Sequence, residues 1–97
     1  MEYEQLGQDY RDDHLAEAMY ARELEWFHYD FDRINFEQML KVLPPGEYAD
    51  DLKKRLLDTR TQMAAVELVY KALKSQITDS NRHQVAVART SAKRAEK

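Results

Sequence analysis

The sequence predicts an all-α protein: a long antiparallel helical hairpin, completed as a bundle by self-association. Three observations predict it. Apolar residues recur at spacings of three and four through most of the 97 residues, which is the period of a helix and not of a strand. Both prolines and one of the two glycines fall together in Leu43-Pro44-Pro45-Gly46, a single strong breaker in mid-chain. The first helical segment also carries two apolar stripes, and one partner helix can cover only one of them.

Helix 1 is expected over about residues 9–42. One of its stripes is Ala16, Tyr20, Leu24, Phe27, Phe31 and Ile34; the other is Met19, Trp26, Tyr29, Phe36, Leu40 and Leu43. At about 100° per residue the two point to nearly opposite sides of the rod. A hairpin therefore leaves either set facing outwards. Four exposed large apolar groups would forgo several kcal/mol, at roughly 1.5 to 3 kcal/mol for each one fully buried. A second copy or a different protein is expected to cover them. Asn35 followed by Gln38, or Asp32, resembles a capping signal. Helix 1 therefore either runs on through residue 34 or breaks there, with a short helix from Phe36 to Val42 folding back. The lack of Gly and Pro in this region favours continuity.

The turn occupies 43–46. Pro44 pushes Leu43 away from helical angles, Pro45 does the same to Pro44, and Gly46 frees the backbone. Helix 2 follows over about 47–77. Tyr48, Leu52, Leu56, Thr59, Met63, Val66, Tyr70, Leu73 and Ile77 make a sustained heptad stripe. Asp50 and Asp51 suit the positive end of the helix dipole, and Lys71 and Lys74 the negative end. Asp50 with Lys54, Asp51 with Arg55 and Glu67 with Lys71 are i,i+4 pairs in the favourable order. Residues 1–79 thus form the hairpin, and 80–97 a basic tail that either frays or extends helix 2 weakly. Ala, Arg and Lys favour helix there, but Val85 and Val87 are its sizeable apolar groups.

Composition bounds the function. A chain of this size suits one domain with a thin or shared core. It has no Cys, which excludes disulfides and thiol chemistry. No run of about 18 apolar residues spans a membrane. The opening MEYEQLGQDYRDD is acidic and lacks the apolar centre of a secretory signal, so a cytoplasmic location is expected. Net charge is −3, but residues 1–46 carry 11 acids and 4 bases while 47–97 carry 7 acids and 11 bases. The halves can attract each other within a hairpin, or present differently charged surfaces to two partners.

Few motifs carry chemistry. Glu25 and His28 form an E-x-x-H spacing, which puts both on one helix face as a carboxylate-bridged di-iron bundle requires. Around Glu23-Leu24-Glu25 the chain resembles helical hairpins of the encapsulated-ferritin type, but helix 2 lacks acids on its inward stripe, so no metal and no cofactor is expected. Asp12-Asp13-His14 reads as a solvated face, since neighbours on a helix do not converge on one ion. Asp30-Phe31-Asp32 lacks the glycine and spacing of a calcium loop. There is no Gly-x-Ser-x-Gly and no glycine-rich phosphate loop, and a thin hairpin offers little concavity, so an enzyme is not expected. Arg82, Arg89, Lys93 and Arg94 in the tail suit salt-sensitive phosphate contacts, without an aromatic to stack on bases. The acids of helix 1, from Glu2, Glu4 and Asp9 through Asp32, also form a row of charge like a nucleic-acid backbone.

The leading expectation is a non-enzymatic protein-binding module, an adaptor, inhibitor or assembly factor, working by helix-face recognition. Trp26, Tyr29, Phe36 and Leu40 are its expected aromatic anchor, with Asp30 and Asp32 setting charge complementarity. The partner is another protein, a second copy, or both. Nucleic-acid association through the tail is the alternative, and a metal bundle on Glu25 and His28 a more distant one.

Overall fold

The computed structural model describes residues 2–95, with side chains described over 11–93. Three α-helices account for them: α1 (Glu2–Val42), α2 (Glu47–Lys74) and α3 (Arg82–Ala95). No described residue lies in a strand. No helix among them is long and apolar enough to cross a membrane. Helices α1 and α2 pack together as a hairpin, and the chain divides into two compact units, residues 24–68 and residues 1–23 with 69–97.

In the unit of residues 24–68, α1 passes through Ile34, Asn35 and Phe36 without a break. Arg33 braces this stretch: Nε and Nη2 donate to Asp30 Oδ1 at 2.9 and 2.7 Å, and Nη1 donates to Glu37 Oε2 at 2.9 Å. Asn35 and Asp32 thus lie inside the helix, with their capping chemistry unused. Pro44 and Pro45 then deny α1 further amide donors. Gly46, at φ 157°, turns the chain, and its carbonyl accepts the Asp50 N–H at 3.0 Å, the first bond of α2. Ala49, Leu52, Leu56, Thr59, Met63 and Val66 are buried on the inward side of α2. The expected heptad stripe holds except at its first member. Tyr48 is exposed and Ala49 sits inward, because a small side chain suits the close approach of the two helices next to a four-residue turn.

The unit of residues 1–23 and 69–97 holds a small core of Leu15, Ala16, Met19 and Val85, with Tyr70, Leu73, Ile77 and Ala88 packed around it. Here the tail is neither frayed nor an extension of α2. The last turn of α2 loosens after Lys74, where Gln76 and Ile77 N–H donate to the Leu73 and Lys74 carbonyls. Asn81 starts α3: its carbonyl accepts the Val85 N–H, and its side-chain oxygen accepts the Thr78 N–H at 2.7 Å. Asn is among the residues that favour this position. Its amide donates to Asp12 Oδ1 at 3.3 Å and to the Gln76 carbonyl at 3.2 Å. Asp12 is therefore not on a solvated face; it is 4 % exposed. Val85, Ala88 and Ala92 line the inward side of α3, and their small size lets its backbone come near α1.

Candidate interaction surface

In the unit of residues 24–68, each expected site residue of α1 takes a definite side. Trp26, Tyr29, Phe36 and Leu40 are half-buried and belong to the seam with α2, not to the outward face on which they were expected. The reason lies in their polar neighbours. The Trp26 indole N–H donates to Glu67 Oε1 at 2.9 Å, and Arg60 Nη2 donates to Glu37 Oε1 at 2.7 Å. Aromatic rings with polar tips and the Arg33 fork suit a narrow, half-wet seam, where charged partners can reach them from the edge. Glu67 meets Trp26 here instead of waiting for Lys71, while Asp51 and Arg55 pair as expected, at 3.0 Å.

The seam is electrostatically tuned. Hydrogen bonds from Arg60 and then Arg33 hold the Glu37 carboxyl below its usual value. Hydrogen bonds to Asp30 and then Glu37 hold the Arg33 guanidinium above its own. Both shifts favour the charged forms, so Asp30, Arg33, Glu37 and Arg60 act as one ionic clasp.

The outward face is the other stripe. Leu24, Phe27, Phe31 and Ile34 are exposed, the two phenylalanines at 63 % and 65 %. At spacings of three, four and three they fall within an arc of about 80°. Met39 and Val42 are exposed further along α1. Phe27 meets the Trp26 ring edge to face, 5.5 Å between centroids. Asp30 lies along one edge of this stripe, and His28 and Asn35 along the other. His28 Nε2 is 3.9 Å from Asp32.

In the other unit, the α1 residues that precede this stripe are covered. Ala16 is fully buried, and Lys93 Nζ lies 5.9 Å from the Tyr20 ring centroid. Glu23 gathers three donors: the Tyr70 hydroxyl at 3.1 Å, Arg89 Nη2, and Lys93 Nζ at 3.9 Å from its second oxygen. Gln84 donates to Asp13 Oδ1 at 3.2 Å. Helix α3 thus lies along this part of α1 and covers it.

The other candidates look different once placed. Arg89 and Lys93 are turned to Glu23, and Arg82 pairs with Asp79 at 3.0 Å, so the described cations of the tail are engaged within the chain. The side chains of Arg94, Glu2, Glu4 and Asp9 lie outside the described residues. Glu25 and His28 stand on an open part of α1, and no group of three or more His, Asp or Glu able to hold a metal ion occurs among the described residues. An open groove of about 450 Å³ between α1 and α3 is lined by Asp13, Glu17, Gln84, Val87, Ala88, Ser91 and Ala92.

Among the described residues the chain is all-helical and carries an uncovered aromatic stripe on α1. Comparison with protein-family models, with characterised proteins and with solved structures finds no match to the chain.

Proposed function

We propose that this chain is a non-enzymatic protein-binding module, an adaptor, inhibitor or assembly factor, whose recognition element is the outward face of α1. The observation that carries the reading is the exposure of Leu24, Phe27, Phe31 and Ile34 in one continuous row. Large contiguous apolar patches on a soluble surface mark interaction sites, and aromatic anchors supply much of the affinity at interfaces. The described carboxylates Asp12, Glu23 and Glu37 tie helix to helix, which is structural work and supports a binding protein over a catalyst. Self-association into a bundle is one way to cover the row; a foreign protein is the other.

The test is a paired substitution, Phe27→Ser with Phe31→Ser. Both side chains are mostly solvated, so the double variant is expected to keep its helical content and melting temperature. It is expected to lose capture of a protein that the unmodified chain retains from its source cell, or to change oligomeric mass by light scattering. A folded variant with the same captured proteins and the same mass would overturn the proposal.

A further inference from the structure

The exposed row of α1 has a symmetry of its own, and what it says about the occupant rests on the binding face proposed above. Leu24, Phe27, Phe31 and Ile34 stand at spacings of three, four and three. From either end the order is the same: aliphatic, aromatic, aromatic, aliphatic. The midpoint is Tyr29, whose own ring is half-buried on the side of α2. A two-fold axis through this midpoint, perpendicular to α1, sets a second copy antiparallel. Each layer then matches. Leu24 meets Ile34 of the second copy, and Phe27 meets Phe31 of the second copy. A two-fold interface is one patch that fits itself, with residue i on j and j on i. A foreign helix requires no such palindrome.

The area agrees. Phe27 and Phe31 are 63 % and 65 % exposed, and Leu24 and Ile34 42 % each. With about 200 Å² for a whole phenylalanine and slightly less for the aliphatics, the row offers roughly 400 Å² of apolar surface, or roughly 800 Å² in two copies. A compact standard interface buries about 1,200 to 1,600 Å², of which about 56 to 65 % is apolar. Two copies of the row supply that apolar share, and the exposed side chains of His28, Asn35 and Gln38 around it supply a polar rim.

Charge permits the pairing and chooses its direction. Antiparallel packing brings the edge that carries Asp30 against itself. That edge is already balanced: Arg33 holds Asp30 and Glu37, Arg60 holds Glu37, and Lys41 adds a further cation. It therefore meets its copy without a row of like charge. In the parallel direction the outcome differs. Phe27, Ile34 and Lys41 recur every seven residues and share a side of the rod, so parallel rows set Lys41 beside its own copy. Antiparallel rows carry the two lysines to opposite ends and oppose the helix dipoles.

We infer that the exposed row of α1 is covered by the same row of a second copy of this chain, antiparallel about Tyr29. The four phenylalanines form the centre of the contact, and each aliphatic end lies on the other copy's opposite end.

The chain has no cysteine, so introduced thiols report the register without background. Leu24→Cys and Ile34→Cys chains are prepared separately, then mixed under mild oxidation with oxidised glutathione. In the antiparallel pair, position 24 of one copy lies level with position 34 of the other, within reach of a disulfide, which spans about 4.4 to 6.8 Å between Cα atoms. Two copies of position 24, or of position 34, lie about 15 Å apart along the rod. The expected product is the mixed 24–34 disulfide, with little linkage in either chain alone. Sedimentation is expected to show a dimer of the unmodified chain. The double variant Phe27→Ser, Phe31→Ser, checked for helix content by circular dichroism, is expected to dimerise about a hundredfold more weakly or worse.

Linkage of 24 to 24 or of 34 to 34, without the mixed product, overturns the antiparallel arrangement. A monomer at the highest soluble concentration, with no linked product, overturns the second copy as occupant; if the double variant still loses a captured cellular protein, the binding face stands with a foreign occupant. A dimer that persists with both phenylalanines replaced, and gives no 24–34 product, overturns the pairing and removes the row as the binding face.

Discussion

Two truncations in the hairpin unit, Leu52→Ala and Phe31→Ala, ask which rings and branches hold the protein together. Leu52 is 2 % exposed. Removing its branched end deletes buried methyl groups and leaves a void that the neighbours fill only in part, which costs about 2 to 5 kcal/mol. For a chain of this size each kcal/mol moves the melting temperature by about 4 to 8 °C, so a fall of roughly 8 °C or more is expected. Phe31 is a larger group, but about two thirds of it already faces water at 65 % exposure. With full burial of such a ring worth about 1.5 to 3 kcal/mol, the part withdrawn from water contributes at most about 1 kcal/mol. Alanine returns about half a kcal/mol through its better helix propensity. The net change is expected to lie near zero. Thermal melts followed by circular dichroism, with urea titrations to compare slopes, measure both. If Phe31→Ala lowers stability as much as Leu52→Ala does, the outward assignment of this stripe is wrong, and the interaction surface built on it goes with it.

Further outcomes follow from the clasp, the caps and the turn. Glu37 has a depressed carboxyl pKa in the fold, so its stabilising contribution is fully present above the unfolded value near 4.5 and is lost as pH falls through the lower folded value; urea midpoints at pH 7 and pH 3 should differ less for Glu37→Gln than for the unmodified chain. Asn81→Ala removes a donor from buried Asp12 and the acceptor of the Thr78 N–H in the turn before α3, at a cost of about 1 to 3 kcal/mol, and amide exchange over residues 82–93 should accelerate more than exchange within α2. Gly46→Ala meets no steric obstacle within 4 Å, but a non-glycine residue at φ 157° is strained by about 1 to 3 kcal/mol, so a melt should show a destabilised turn without loss of helix content at low temperature.

Much of this architecture was legible in the sequence. The Pro-Pro-Gly turn and the inward row from Leu52 to Val66 rest on strong local signals that agree with each other, and packing had no reason to override them. The choice of outward stripe was harder to see. Periodicity gives the angle between two apolar rows, but not which row meets the partner helix. The polar atoms decided it: Arg33 sits in the middle of the Trp26 row, its fork needs Asp30 and Glu37 beside it, and Glu37 in turn accepts from Arg60 across the seam. A fully apolar row offers α2 no such handles. Helix α3 was missed for another reason. Its inward face is made of Val85, Ala88 and Ala92, too small to register as a stripe, although Thr78-Asp79-Ser80-Asn81 is a cluster of turn and cap residues that could have marked its start. Asp12, read as solvated beside Asp13 and His14, is buried because Asn81 comes from 69 residues away to meet it.

The indole at position 26 is the chain's sole tryptophan, and it stands edge-on to Phe27. Its emission colour depends on the polarity just beside it. Any molecule that settles on Phe27 changes that polarity at van der Waals range, so the protein contains its own fluorescent gauge. Titrations can be followed at native concentration without a dye, and the same signal will show whether crowding the solution with more of the chain is enough to dry the ring.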